Sequence, residues 1–507
     1  MAEYEHAIFR HNLAANTLVA KYKYHGTRSL PPFVGRASEW MELGHARDSG
    51  RPELIAVYGR RRVGKTYLIR RFFAAELRFE LTGTRQATYK QQLANFAAAL
   101  SARGGIPYAA PRDWPEAFQT LSRYLEQFSA NGRQVVFFDE LPWLASRRSG
   151  FLGAFEYFWN SWGTRQNNLI VVICGSAASW MIAKVLRDRG GLHNRVTRRM
   201  QLHPFSLYET EQFLISRGMQ LNRRQILELT MAVGGIPYYL GYVRKGRSAA
   251  QNIDAMFFAP QAPLHDEFEN LYAALFEHHE RHLKVIRALA RKQSGLTRNE
   301  IISASKMSGG NMTTILDELE SSDFICKLQP FGRVKREPLY RLIDEFTLFY
   351  LRWVENGREP LHGAGQWMHL HSTPAWQAWS GYAFENLCLR HVPQIKHALS
   401  IGGVRAGISA WRHQSTGAGN AGAQIDLLID RQDGVINVCE MKFSTNEFTI
   451  DKKYARELRQ KIATFGRVTG TKKATFLTLV TTQGVKANEF SAELVQNSVR
   501  ADALFGA

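Results

Sequence analysis

The nine residues Tyr58-Gly59-Arg60-Arg61-Arg62-Val63-Gly64-Lys65-Thr66 constrain this chain more than any other stretch. They carry the pattern G-x-x-x-x-G-K-T between an apolar run, Leu54-Ile55-Ala56-Val57, and a helix-like run over residues 67–77. Strand, glycine-containing loop and helix in that order make a phosphate-binding P-loop. The two glycines let the backbone turn so that successive N–H groups face one anion, and the helix opening near Lys65 aims its positive dipole end at the same place. The pattern predicts nucleotide contacts from Gly59, Arg60, Arg61, Arg62, Val63, Gly64, Lys65, Thr66 and Tyr67. Lys65 is placed on the β- and γ-phosphates and the Thr66 hydroxyl on Mg²⁺, so ATP and Mg²⁺ are the expected cofactors.

A P-loop needs a carboxylate downstream. Gln134-Val135-Val136-Phe137-Phe138 reads as a strand buried on both faces and ends in Asp139-Glu140. Asp139 fits the carboxylate that holds the Mg²⁺ shell, and Glu140 the base that polarises the attacking water. A further buried strand, Leu169-Ile170-Val171-Val172-Ile173-Cys174, runs into Gly175-Ser176. Between the P-loop helix and the first of these strands lie a short strand at 79–82 and helical stretches over 87–102 and 114–128. Strands alternating with helices predict a mostly parallel, three-layer sheet with its ligands at the carboxyl ends of the strands. The basic segment Asn194-Arg195-Val196-Thr197-Arg198-Arg199 offers Arg195 or Arg199 to a γ-phosphate, within the chain or across a subunit contact; a basic surface loop is the alternative. Residues 207–244 read as wholly helical apart from Gly234-Gly235-Ile236-Pro237, a small helical lid.

At 507 residues the chain is long enough for three or four domains. Its 65 Lys and Arg against 45 Asp and Glu give a net charge of +20, which favours a polyanionic partner, nucleic acid first and an acidic membrane surface second. No apolar run reaches the length of a membrane span and no signal-peptide pattern is present, so a cytoplasmic protein without a membrane partner is expected. The four cysteines show no paired spacing and read as reduced thiols.

Beyond residue 282 the pattern changes to three short helices and a hairpin, the plan of a winged helix-turn-helix. The hairpin tip, Phe331-Gly332-Arg333-Val334-Lys335-Arg336, is basic and carries an aromatic. Asp317, Glu318 and Glu320 weigh against the third helix as a DNA reader, so a protein contact stands beside DNA binding. The cluster His278-His279-Glu280-Arg281-His282 lacks zinc-peptidase order and reads as a solvated helix face. Further on, Asp426 sits in one strand candidate, and Glu440 and Lys442, two apart on a shared face, sit in the next. Two carboxylates are hard oxygen ligands for Mg²⁺, and a lysine beside them holds a water or a scissile phosphate. Glu385, on a preceding helix over 376–391, is a candidate outer partner. Lys452, Lys453, Arg456, Arg459 and Lys461 crowd one helix against Asp451 and Glu457, as a DNA-facing helix requires.

Several of these stretches resemble known families. Phe33-Val34-Gly35-Arg36-Ala37-Ser38-Glu39 resembles the FxGRxxE segment of AAA-related ATPases, which implies that Gly35 and Arg36 lie near the adenine. Ser176 stands where such ATPases place sensor 1. YGRRRVGKT, FFDELPWL, CGSAASWM and GGIPYYL together resemble the archaeal-type ATPase family, a branch of the STAND-like P-loop ATPases. That family often ends in a PD-(D/E)xK nuclease-like domain, whose motifs are similar to Ile401-Gly402-Gly403, Trp411, Gln424-Ile425-Asp426 and Glu440-Met441-Lys442 here. Gln424 departs from the pattern, which usually has an acid. The expected architecture is α/β: a flexible extension over 1–30, a three-layer P-loop ATPase core over 31–205, a helical lid and linker over 206–265, a winged helix-turn-helix over 266–343, and an α/β restriction-endonuclease-like domain over 344–507. The expected function is an ATP-driven switch acting on a DNA-directed, nucleolytic domain. A non-cleaving regulatory ATPase that binds DNA or protein, and a protein-assembly ATPase with no nucleic-acid contact, remain alternatives, and a homo-oligomer or a protein partner is a further expectation.

Overall fold

The computed structural model describes residues 33–506 except 129–131, 147, 187–191, 193, 333–336, 356–364, 372 and 414–421. The first sheet consists of β1 (Glu53–Tyr58), β2 (Leu77–Thr82), β3 (Gln134–Asp139), β4 (Leu169–Gly175) and β5 (Arg198–Gln201), in the order β2-β3-β4-β1-β5. Every neighbouring pair is parallel. Parallel strands must be covered on both faces, which explains the unbroken apolar runs. Ile55, Val57, Val135 and Phe137 pack with Leu68 and Ile69 of the helix Lys65–Phe72 on one side. Leu54, Ala56, Val136 and Phe138 pack on the other side against the helices Tyr89–Gly104, Trp114–Glu126 and Phe151–Ser161. That second layer is largely aromatic; Phe118, Phe138, Phe151 and Phe155 meet at ring separations of 5.5–6.1 Å. Three layers result.

The lid comprises the helices Leu207–Ser216, Arg223–Val233 and Pro237–Leu240, followed by Ala249–Phe257. It is broken twice rather than once. Gly218, at φ +73°, ends the first helix, and the Asn222 side chain caps the second by accepting from the Gln225 N–H. Met219 and Leu221 continue the apolar pattern across the gap and pack on the core, which hid the break from the sequence. At the second break, a Cβ on Gly235 would lie 2.0 Å from the Phe205 carbonyl oxygen, so only glycine fits.

Three helices, His279–Ala290, Arg298–Ser305 and Met312–Ser321, precede the antiparallel pair β6 (Ile325–Leu328) and β7 (Leu339–Leu342). Leu296 bridges Tyr340 of β7. The expected basic tip Arg333, Val334, Lys335 and Arg336 lies outside the described residues. Phe331, just before it, is not offered to solvent: its N–H donates to the Ala410 carbonyl and its ring lies 5.1 Å from that of Phe465. The histidine cluster also differs from expectation. His282 is buried, stacked 4.0 Å from the Phe276 ring, and its Nε2 meets Glu318 at 2.7 Å.

The third sheet holds β8 (Ala406–His413), β9 (Ala423–Arg431), β10 (Val435–Lys442), β11 (Ala474–Thr481) and β12 (Asn497–Arg500), in the order β12-β11-β10-β9-β8. β8, β9 and β10 form an antiparallel meander; β10, β11 and β12 run parallel. The helix Lys452–Thr469 makes the crossover between β10 and β11. Leu428, Ile436 and Val438 pack against its Ala455, Leu458 and Phe465, while Leu427, Ile429 and Cys439 pack against the helix Pro374–Arg390 through Phe384 and Leu387.

One hydrophobic core runs from Leu43 beside the first sheet to Phe505 near the chain end. The border expected at 343/344 falls inside it. The helix Glu345–Phe349 is buried throughout, and Phe346 lies 4.9 Å from Tyr239 of the lid and 5.9 Å from Phe257. Among the described residues no helix is long and apolar enough to cross a membrane.

Candidate functional site

β1 ends at Tyr58 and the chain turns at Gly59, where φ is +143°; a Cβ there would lie 2.2 Å from the Leu202 carbonyl oxygen. Gly64, at φ +94°, is the residue before the helix Lys65–Phe72. Both positions require glycine, and together they wrap the loop around the helix N-terminus. Lys65 is buried and its Nζ donates to the Gly59 and Arg60 carbonyls at 2.8 and 2.9 Å, which holds the ammonium over the loop. The Thr66 hydroxyl donates to Asp139 Oδ2 at 2.7 Å across to the end of β3. A hydroxyl and a carboxylate oxygen so close form a donor set suited to Mg²⁺, which takes one or two protein ligands beside phosphate and water. Glu140 follows in a left-handed turn at φ +49°. Its Oε2 accepts from the Ser176 hydroxyl at 2.8 Å and the Ser176 N–H at 3.2 Å, at the end of β4. Thus Lys65, Thr66, Asp139, Glu140 and Ser176 converge at the carboxyl ends of β1, β3 and β4.

The loop arginines do something the sequence did not disclose. Arg60 turns away from the loop and pairs with Asp344; both are about 1 % exposed. Burial opposes its charge, but Asp344 outweighs that and holds the guanidinium above its ordinary value. The same guanidinium lies 4.6 Å from the Phe324 ring centre. Arg62 pairs with Glu267 at 2.9 Å and rests 4.3 Å from the Tyr238 ring centre. Burial raises the Glu267 carboxyl, while Arg62 draws it back down. Arg60 and Arg62 therefore offer a phosphate their backbone N–H groups, not their side chains, and the side chain of the half-buried Arg61 has no described hydrogen-bond partner. Tyr67 is exposed and stacks 6.0 Å from Phe33. Arg36 is buried, with Nη2 donating to the Val63 carbonyl at 2.9 Å and its N–H donating to Glu209 at 2.7 Å. Gly35 and Arg36 line a cavity of about 600 Å³ with Phe205, Tyr208 and Gly235. Arg195 and Arg199 are exposed; Arg195 precedes the start of β5, whereas the P-loop follows the end of the parallel β1, so Arg195 is not brought to the loop.

In the third sheet the β9–β10 register pairs Cys439 with Leu427, so one residue further on Asp426 stands opposite Glu440 and shares its face. Glu440 is held from three sides: by Lys461 at 2.7 Å, Lys442 at 3.1 Å and the Tyr454 hydroxyl at 2.7 Å. Burial would raise its carboxyl, but Lys461 and Lys442 hold it below the usual range. Lys461, expected from the sequence on a DNA-facing surface, turns to Glu440 instead. Asp426 accepts from Gln424 at 2.7 Å and from Arg341 of β7 at 3.2 Å, and Arg341 also reaches Glu385 at 3.1 Å. Burial and the neighbouring Asp426 push Glu385 up to about 7. Among the described residues no group of three or more His, Cys, Asp or Glu is arranged to share a metal. Asp426 and Glu440 make a pair, which fits an ion that keeps several waters. A cavity of about 800 Å³ adjoins this cluster, lined by Arg287, Arg291, Lys292, Arg352, Tyr382 and Gln424 among others.

Residues 33–243 match the family of ATPase domains predominantly from Archaea. An uncharacterized protein of Methanocaldococcus jannaschii is 26 % identical over 325 residues, covering 64 % of this chain and 69 % of that protein. The Walker-type ATPase of Pyrococcus abyssi superposes with a TM-score of 0.46 at 18 % identity, covering 64 % of this chain and 99 % of that one. The ORC2 protein of Aeropyrum pernix superposes with a TM-score of 0.42 at 15 % identity, over 65 % and 96 %. Over residues 33–243, the five-stranded parallel sheet, its P-loop and the lid are similar to the ATPase domains predominantly from Archaea.

Proposed function

We propose that the chain is an ATP-binding and ATP-hydrolysing switch whose nucleotide state is passed to a DNA-directed, nuclease-like C-terminal domain. The convergence of Lys65, Thr66, Asp139, Glu140 and Ser176 carries the first half. Mg²⁺, when bound, offsets phosphate charge. Thr66 and Asp139 would hold its shell, Lys65 would turn its ammonium toward the β- and γ-phosphates, and Glu140 would accept a proton from the attacking water while Ser176 fixes its rotamer. The cavity beside Gly35 and Arg36 supplies room for the base. Lys65→Ala should abolish tight ATP binding by calorimetry. Glu140→Gln should keep binding and lose at least a hundredfold in phosphate release, the scale of general-base contributions. Unchanged turnover in both variants would remove the P-loop from the mechanism.

The C-terminal half of the proposal rests on the meander with its crossover helix, on Asp426 opposite Glu440, and on the basic cavity leading to them. Asp426 and Glu440 would ligate one divalent ion, and Lys442 would steady the scissile phosphate. The three helices and β-hairpin before it read as a winged helix. Its third helix is partly covered, because Gln201 of β5 donates to the Ser321 carbonyl at 3.4 Å and Met312 is buried. A second reading, a regulatory ATPase that binds DNA or protein without cutting, is favoured by a specific observation: both carboxylates already answer to cations of their own chain. Incubation with plasmid and linear DNA, with and without ATP, Mg²⁺ and Mn²⁺, separates the two.

A further inference from the structure

We infer that Arg341 is a built-in plug of the acid cluster: its guanidinium fills the place that a divalent ion needs beside Asp426, and the segment carrying it is anchored to the P-loop. This rests on the reading of Asp426 as a metal ligand and names how that site is controlled.

Arg341 does not belong to the sheet it serves. It projects from β7, in the hairpin ahead of the C-terminal part, and its side chain is 2 % exposed. Nη1 donates to Asp426 Oδ1 at 3.2 Å and Nη2 to Glu385 Oε2 at 3.1 Å, so one planar cation spans two carboxylates. The guanidinium lies 5.0 Å from the Tyr382 ring centre, while its Nε is buried without a partner. Those contacts are longer than the 2.7–2.9 Å typical of charge-assisted bonds. Arg341 is buried, bridges two carboxylates and holds each through a single long contact. A hard cation with oxygen ligands at about 2.1 Å competes for the same lone pairs, because Asp426 Oδ1 also accepts from Gln424 at 2.7 Å. On that oxygen guanidinium and metal therefore compete.

The anchor lies three residues on. Asp344 pairs with Arg60 of the P-loop and accepts from the Thr347 N–H at 2.9 Å. Glu345 pairs at 2.6 Å with Arg390, on the helix Pro374–Arg390 that also carries Glu385. Residues 341–345 thus tie the phosphate loop, the acid cluster and that helix into one strap. Repositioning of the Arg60 backbone by phosphate is felt at Arg341, and the coupling is reciprocal.

The test is Mn²⁺ binding to the full chain without nucleotide, followed by the electron paramagnetic resonance of free Mn²⁺. Arg341→Gln should bind one Mn²⁺ at least tenfold more tightly than the parent, and adding Asp426→Asn should erase the gain. Arg341→Lys keeps a charge but cannot bridge two carboxylates; it should fall between, and it serves if the glutamine variant fails to fold. Asp344→Asn, which loosens the strap without touching the cluster, should also tighten Mn²⁺. If the parent binds Mn²⁺ as tightly as Arg341→Gln, the plug is wrong and the metal site stands. If folded Arg341 variants bind none, the metal-site reading fails and the plug with it. Unchanged affinity in Asp344→Asn overturns the anchor alone.

Discussion

Gly235 and Gly381 show how differently one methyl acts at two glycines. A Cβ on Gly235 meets backbone at 2.0 Å, where nothing flexible can yield, and the same two residues are joined by the Phe205 N–H donating to the Gly235 carbonyl at 2.6 Å. Gly235→Ala should cost about 3 kcal/mol and lower the thermal midpoint by several degrees. Gly381, inside the helix Pro374–Arg390, has nothing within 4 Å of its missing Cβ. Gly381→Ala should raise the midpoint, by about 0.5–1 kcal/mol of helix propensity. A calorimetric scan of both variants reads the contrast. Residues of the first kind are legible in sequence when a local pattern surrounds them, as for Gly59 and Gly64. Asp139 and Glu140 were legible because a buried strand ends on them. Asp344 and Arg341 were not, since an ion pair spanning 284 or 85 positions leaves no periodicity behind.

The helix Lys452–Thr469 is the element on which DNA contact is best examined. Its inner face packs on the third sheet through Ala455 and Leu458, and Lys461 turns inward to Glu440, leaving Lys452, Lys453 and Arg456 exposed. Arg459 is taken by Glu493 at 2.5 Å. Replacing Lys452, Lys453 and Arg456 by Ala should weaken DNA binding and reduce the salt slope by about 2–3, roughly one per lost phosphate contact. Binding curves over a salt series check it; an unchanged slope would move the interface to the cavity beside Arg291 and Arg352. Strands of the first sheet were the most readable elements, because burial on both faces writes continuous apolar runs, whereas β8, β11 and β12 of the third sheet were not foreseen. Helix ends were less so. The first lid break escaped because Met219 and Leu221 serve the core from a loop, which hydrophobicity alone cannot distinguish from a helix.

Across the whole molecule, His391 links the lid to the C-terminal half and makes the fold sensitive to acid. Its Nε2 accepts from the Leu207 N–H at 3.1 Å, at the start of a lid helix, and its Nδ1 faces the Leu387 carbonyl at 2.7 Å, so the neutral ring with the proton on Nδ1 satisfies both. Burial lowers its pKa to about 4 from 6.5. Below 6.5 the unfolded chain binds the proton that the folded one refuses, so this contribution is complete above pH 6.5 and is lost as pH falls toward 4, by about 3 kcal/mol in all. Urea unfolding at pH 7.5 and 5 should show a drop in stability that His391→Gln makes shallower. The continuity behind this was invisible in sequence, where changes of pattern suggested separable parts. The pairing of Arg60 with Asp344 bears on how such a chain can change over time. A nucleotide-binding half severed after Ile343 would keep a buried guanidinium with no counter-charge, at a cost on the order of 3–5 kcal/mol. Exchange of either half for a foreign counterpart therefore has to bring a matching charge for the one that stays.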